Sequence, residues 1–307
     1  MQQDSRIYVA GGETQIGAAL LRRLQDQGFT EVMGMGEEEP ALTKALEVEA
    51  FFKAKVPEFV FLVAGRSGGI GANQKFPAEL MLHNLLVQTH VIHHAYLNGV
   101  KKLFFLASSC SYPRNCPQPM EESSLLTGAL EPTNEAYALA KLAGIKLCQA
   151  YRQQYGVNFV TGIPANIFGP GDEFSPENSH VIEGLMRRMH EAKIQGAPSI
   201  SVWGTGTPRR DFIFVDDLAD ACILVMQAYN DPQPINLGIG EGLTIGELAG
   251  LIRDVLGFTG EILFDPSKPD GMPVKVLDSR KLQALGWRPG FTFRAALEAT
   301  YNWFCRQ

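Results

Sequence analysis

Apolar and polar positions along the chain fall into two patterns, short unbroken apolar runs and longer stretches with helical spacing. The runs Phe59–Ala64 and Leu103–Ala107 are long and bulky enough to be strands buried on both faces, and Asn158–Ile163 reads as a further strand. Arg6–Ala10, Glu31–Met35, Ser201–Trp203 and Pro234–Leu237 are shorter strand candidates. Helical spacing predicts Ala18–Gln27 through Leu20, Leu21 and Leu24, and Leu80–Asn98 through Leu82, Leu85, Leu86, Ile92 and Ala95. It also predicts Glu135–Tyr155, Val181–Lys193, Val215–Tyr229 and Thr244–Leu256, the last with Thr244 as cap and Glu247 at the capping-box position. Strand and helix alternate as far as Asn166, the signature of a parallel sheet with helical crossovers. From Phe168 the rhythm breaks. A polar loop, Gly169 to His180, is long enough to suggest a function. The rest predicts loops and short helices around a smaller, lid-like domain.

The chemistry collects where predicted strands end. Arg6–Ala10 runs into Gly11-Gly12-Glu13-Thr14-Gln15-Ile16-Gly17 and then a helix, the usual start of a dinucleotide-binding unit. Thr14 stands where a glycine is expected, and a plain turn with packing glycines is the alternative. After the second strand come Glu37, Glu38 and Glu39, either a solvated loop or a carboxylate at the adenosine ribose. Phe59–Ala64 leads into Gly65-Arg-Ser-Gly-Gly-Ile-Gly71, glycines at the same carboxyl edge of the sheet. Leu103–Ala107 ends in Ser108-Ser109-Cys110, and Tyr137 and Lys141 lie one turn apart on a later helix. An ammonium beside a phenol favours the phenolate, so Lys141 is expected to lower the Tyr137 pKa and make it a proton donor and acceptor near neutrality. A tyrosine and lysine at this spacing are common by chance. Preceded by a strand-end serine and a strand–glycine-loop start, they are specific.

Composition narrows the partners. The 307 residues are 45% hydrophobic and 20% charged, enough for one large or two modest domains. A net charge of -6 argues against nucleic-acid or anionic-membrane binding but leaves room for a phosphate-bearing substrate. Five cysteines, with no paired C-x-x-C spacing, point to free thiols, with Cys148 and Cys222 inside apolar helical patterns. The N-terminus lacks a signal-peptide pattern and no run of 18 apolar residues occurs, so a reduced, cytoplasmic location is expected. His83, His90, His93 and His94 crowd one predicted helix without a standard ligand spacing, and no metal is expected.

The segments Ser108-Ser-Cys-Ser-Tyr-Pro113, Glu131-Pro-Thr-Asn-Glu-Ala-Tyr-Ala-Leu-Ala-Lys141, Asn178-Ser-His-Val-Ile182, Val202-Trp-Gly-Thr-Gly-Thr-Pro208 and Lys268-Pro-Asp-Gly271 carry a resemblance. Over almost its whole length the chain resembles the extended short-chain dehydrogenase/reductases, and within them the GDP-L-fucose synthases. That resemblance implies an α/β fold, a Rossmann doubly wound parallel sheet with a smaller mixed α/β substrate-binding domain. The dinucleotide domain would span 1–167 and recruit about 211–237; the substrate domain would span 168–210 and 238–307. The implied reaction is 3,5-epimerisation of GDP-4-keto-6-deoxy-D-mannose followed by hydride reduction of its 4-keto group.

By matching position, the family's reduction set falls on Ser108, Tyr137 and Lys141, and its epimerisation pair on Cys110 and His180. The expected cofactor contacts are Gly11, Thr14, Gln15, Ile16, Gly17, Ala64, Tyr137, Lys141, Pro164, Ile167 and His180. The GDP-sugar would be held by Ser109, Asn166, Arg188, Trp203, Arg210 and Lys275. A homodimer through the Leu80–Asn98 and Glu135–Tyr155 helices is also implied. The resemblance implies NADP(H), whereas Glu13 and Glu37 stand where basic residues often hold its 2′-phosphate and favour NAD(H). Two rival readings stay open. One is an NAD-dependent epimerase, dehydratase or 4-reductase of another GDP-linked keto-sugar, which would not need Cys110 and His180. The other is a non-catalytic dinucleotide-binding regulator, against which the complete Ser108, Tyr137 and Lys141 set counts.

Overall fold

The computed structural model describes residues 1–34, 36, 39–176, 179–268 and 270–307, with the side chain of residue 70 left aside. Glu37 and Glu38, the end of the second predicted strand at Met35, Asn178 of the Asn178–Ile182 segment and Pro269 lie outside the described residues.

The first half alternates strand and helix: β1 (Ile7–Ala10), α1 (Gln15–Asp26), β2 (Val32–Met33), α2 (Ala45–Lys55), β3 (Phe59–Leu62), α3 (Ile70–Lys75), α4 (Pro77–Leu97), β4 (Lys102–Leu106), α5 (Glu135–Tyr155) and β5 (Phe159–Pro164). The second half is more broken: β6 (Asn166–Phe168), α6 (Val181–Gln195), β7 (Ser199–Trp203), β8 (Arg209–Arg210), β9 (Phe212–Phe214), α7 (Val215–Ala228) and β10 (Ile235–Leu237). It closes with β11 (Leu243–Thr244), α8 (Ile245–Leu256), β12 (Glu261–Asp265), β13 (Val274–Lys275), α9 (Arg280–Ala284) and α10 (Phe293–Phe304).

Six strands form a parallel sheet in the order β10-β5-β4-β3-β1-β2, the Rossmann arrangement. The chain steps outward from β1 to β2 and then returns to the other side of β1 with β3. A crevice therefore opens beyond the carboxyl ends of β1 and β3. Helices cover both faces. The Gln88 amide of α4 donates to the Ala140 carbonyl of α5 at 2.7 Å on one side. On the other, Arg23 of α1 grips Asp220 of α7 with two bonds of 2.9 and 2.7 Å. Three small sheets, β11-β8-β13, β12-β7 and β6-β9, lie outside the main one. Among the described residues no helix is long and apolar enough to cross a membrane.

The differences from expectation have local causes. β4 begins at Lys102, one residue earlier than its apolar run, because the lysine threads inward and its ammonium donates to the Val225 and Tyr229 carbonyls at the end of α7. α4 buries Leu80, Val87, Val91 and Ile92, and leaves Leu82, expected inside, 60% exposed. α2 and α10 were not anticipated as helices. α2 buries only Val48, Phe51 and Phe52 and leaves Leu46 outward, so its apolar stripe is narrow. Of the histidines on α4, His90 meets the Leu42 carbonyl and His93 the Tyr151 hydroxyl.

Candidate active site

Backbone approach builds one wall of the crevice. A Cβ on Gly12 would sit 1.7 Å from the Gly34 carbonyl oxygen, and one on Gly17 would sit 1.9 Å from that of Gly11. Gly11 itself, at φ +95°, would bring a Cβ within 2.6 Å of the Ala64 backbone. These three positions admit only glycine because the loops after β1, β2 and β3 touch there. Thr14 is not a defect in this loop. It is the N-cap of α1: its hydroxyl accepts from the Gly17 N–H at 3.1 Å and donates to the Gly11 carbonyl at 2.7 Å. The first-turn N–H groups of Gln15 and Ile16 have no intrahelical acceptor by helix geometry, and the Gln15 side chain ties the loop to Gly169 and Asp172 at 3.0 and 3.2 Å. Backbone cradle and helix N-terminus together fit the pyrophosphate of a dinucleotide.

The second wall is the end of β4. Ser108 leaves the strand in extended conformation, and its hydroxyl accepts from the Cys110 N–H at 3.2 Å, capping a tight turn over Ser109–Ser111. That turn points Ser108 and Cys110 toward α5. The Ser108 hydroxyl meets the Tyr137 phenol, and Lys141, one turn on, reaches the Leu106 carbonyl at 3.3 Å with its ammonium 5.2 Å from the Phe105 ring centroid. A Cβ on Gly65 would lie 3.2 Å from the Lys141 Nζ, so the loop after β3 packs on this lysine.

The electrostatics correct one expectation. Burial raises the Tyr137 phenol, the neighbouring Cys110 raises it further, and the Ser108 hydrogen bond offsets only part. Lys141 is not among the groups that move it. Instead burial pushes Lys141 down to about 8. In this arrangement Tyr137 keeps its proton at neutral pH and Lys141 titrates close to it.

Cys110 stands at the centre of a small polar group. The Asn134 amide donates to its Sγ at 3.2 Å, and the Lys275 ammonium lies 3.7 Å from the same sulfur. Lys275, expected among the GDP-sugar contacts, is thus placed against the thiol. It arrives on β13, which pairs with β8 so that Lys275 is opposite Arg210. The Asp211 N–H donates to the Lys275 carbonyl at 3.1 Å, and the Asn166 amide holds the Asp211 carbonyl at 2.8 Å. Buried Asp211, pushed up to about 7 by burial, gathers the N–H groups of Gly240, Ile239 and Leu277 and locks this junction. His180 is the exposed N-cap residue of α6 and makes no side-chain cap bond.

The remaining expected contacts surround this core. Ala64, two residues beyond β3, and Pro164, the last residue of β5, are buried, Ile167 lies on β6, and Ser109 is buried within the turn. The Arg188 guanidinium donates to the Ser201 carbonyl at 2.7 Å, and that of Arg210 to the Met272 carbonyl at 2.6 Å. Trp203 is 66% exposed at the end of β7, with the Lys268 ammonium 5.7 Å from its ring centroid, an open aromatic face beside cations. Asn134, within the Glu131–Lys141 segment, was not singled out from sequence. Glu39, one of the three glutamates expected either in a solvated loop or at the adenosine ribose, lies at the glycine loop, where its carboxylate accepts from the Gly11 N–H at 2.6 Å.

A model of the NAD dependent epimerase/dehydratase family matches residues 7–240. GDP-L-fucose synthase 1 of Arabidopsis thaliana is 51% identical over 304 residues, covering 99% of this chain and 94% of that protein. The crystal structure of a GDP-6-OMe-4-keto-L-xylo-heptose reductase from C. jejuni superposes with a TM-score of 0.92 at 33% identity, over 100% of this chain and 99% of the other. A GDP-L-fucose synthetase from Naegleria fowleri bound to NADP gives a TM-score of 0.91 at 29% identity, over 100% and 95% of the two chains.

Proposed function

The chain belongs to the NAD dependent epimerase/dehydratase family, and from that premise we propose that it converts GDP-4-keto-6-deoxy-D-mannose to GDP-L-fucose by 3,5-epimerisation and 4-keto reduction. The observation that carries this reading is Cys110, held by Asn134 and Lys275 beside the Ser108–Tyr137 pair. A reductase or 4-epimerase needs the Ser/Tyr/Lys set alone. A thiol flanked by an ammonium adds a carbon base to it.

NADPH is the cofactor in this reading, in keeping with the NADP-bound Naegleria relative. When bound it supplies the hydride. Gly11, Thr14, Gln15, Ile16, Gly17, Ala64, Pro164 and Ile167 hold it, within a functional unit of 1–167 and 211–237. Segments 168–210 and 238–307 grip the GDP-sugar, with Trp203 as the base platform and Arg188 and Arg210 near the diphosphate.

A 4-ketone acidifies the hydrogens on carbons 3 and 5. Cys110 removes such a proton as thiolate, with the Lys275 ammonium balancing the charge, and His180 returns one from the other face. Ser108 and the protonated Tyr137 hydrogen-bond the 4-oxygen and stabilise the enolate. Tyr137 then donates its proton to that oxygen during reduction, with Lys141 near its own titration point beside it. The enzyme is placed in the cytoplasm as a homodimer, its partner covering the exposed Leu82 and Leu97 of α4 and Leu139 and Tyr155 of α5.

The test is turnover of GDP-4-keto-6-deoxymannose with NADPH in deuterated water, read by mass spectrometry of the product. Carbon-bound deuterium is expected from the wild type and lost in Cys110→Ser and His180→Asn. Turnover without carbon-bound deuterium would leave a simple reductase. No turnover by well-folded protein would remove the substrate assignment.

A further inference from the structure

The adenosine end of the cofactor site carries a charge opposite to the one a 2′-phosphate requires. From Gly34 to Thr43 the sequence holds no lysine or arginine and three glutamates. One of them, Glu39, follows Gly17 at the roughly 20-residue distance at which dinucleotide-binding folds place an acid for the ribose hydroxyls. The structure brings its side chain back to the glycine loop. Glu39 Oε1 accepts from the Gly11 N–H at 2.6 Å and from the Tyr8 hydroxyl at 3.3 Å. Among the described residues both bonds fall on that one oxygen, which leaves Oε2 for a ribose hydroxyl.

The surroundings offer a phosphate little. A cavity of about 410 Å³ between α1 and β2 is lined by Glu39, Gly34 and Arg22 among others. Arg22, the basic residue among those that line it, is ion-paired with Asp216 of α7. Burial, and then the nearby Glu13 carboxylate, raise the Glu39 carboxyl, while Gly11 and Tyr8 draw it down. A ribose 2′-hydroxyl has a proton to donate to this carboxylate. A 2′-phosphate has none to spare at neutral pH and meets two acids instead.

We infer that the site takes NAD(H) as well as NADP(H), with Glu39 accepting the adenosine 2′-hydroxyl and opposing the 2′-phosphate. The inference rests on the dinucleotide reading above and is tested without the sugar. NADH and NADPH are titrated into the protein by nicotinamide fluorescence, and 5′-ADP is compared with 2′,5′-ADP as competitor.

The two dissociation constants are expected within ~10-fold of each other, that is within ~1.4 kcal/mol. Glu39→Gln, which keeps an acceptor for the Gly11 N–H, is expected to move their ratio at least ~10-fold toward NADPH and 2′,5′-ADP. Glu13→Gln, at an exposed position, is expected to move it the same way by less, and tests the charge argument if the Glu39 variant does not fold. NADPH binding ~100-fold tighter than NADH in the wild type, or a ratio unchanged in both folded variants, would overturn the inference and leave the reaction intact. Binding of neither dinucleotide would overturn both.

Discussion

Replacing Lys141 with methionine is expected to stabilise the cofactor-free protein while abolishing reduction. The ammonium is buried and is pushed from 10.5 down to about 8 by desolvation. At ~1.36 kcal/mol per pKa unit, the fall of about 2.5 corresponds to a cost on the order of 3 kcal/mol at pH 7. The folded value lies below the unfolded one, so the folded state binds fewer protons. The cost is therefore complete below about pH 8 and shrinks as pH rises toward 10.5. Methionine forfeits the bond to the Leu106 carbonyl and the Phe105 ring contact, together about 1–2 kcal/mol. A net gain of about 1–2 kcal/mol remains, a few degrees in Tm for a chain of this size. Urea unfolding of wild type and Lys141→Met at pH 7, 9 and 10.5 reads it directly, and NADPH oxidation is expected to fall at least ~100-fold. A variant no more stable than wild type at pH 7, or a gain that persists at pH 10.5, would refute the burial argument.

Two further outcomes follow from the site. Lys275→Met leaves Cys110 without its cation, and is expected to cut solvent-deuterium incorporation ~10–100-fold while slowing reduction of an already epimerised sugar far less; equal losses in both steps would return Lys275 to a substrate-binding role. Gly12→Ala forces a Cβ against the Gly34 carbonyl, and is expected to cost about 3 kcal/mol in unfolding experiments and to weaken dinucleotide binding; an unperturbed melting curve would contradict that close approach.

Much of the fold was legible in residues near one another in sequence. Leu103–Ala107 and Phe59–Ala64 are apolar enough to demand cover on both faces, and both supply central strands. The Tyr/Lys helix ends at Tyr155 because Gly156 takes the left-handed conformation at φ +69°. The Thr244/Glu247 capping box starts α8 as its spacing requires. Strand end, glycine loop and helix face then put Ser108, Cys110, Tyr137 and Lys141 at one edge of one sheet. Period and propensity act over a few residues, and a sequence carries that information by itself.

Tertiary structure decided what depends on distant atoms. Lys275 lies against Cys110 and opposite Arg210 because β13 pairs with β8, a register no local pattern encodes. Glu39, one of the three glutamates that follow the second strand, meets the glycine loop through a turn of the chain that composition alone leaves open. Leu82 faces outward because α5 and the sheet claim the opposite side of α4. The direction of the Tyr137 shift reversed for the same reason. An ammonium one turn away is visible in the sequence, whereas desolvation sums over every atom the fold packs around the phenol, and here it is the largest cause of the shift, ahead of Cys110 and the Ser108 hydrogen bond.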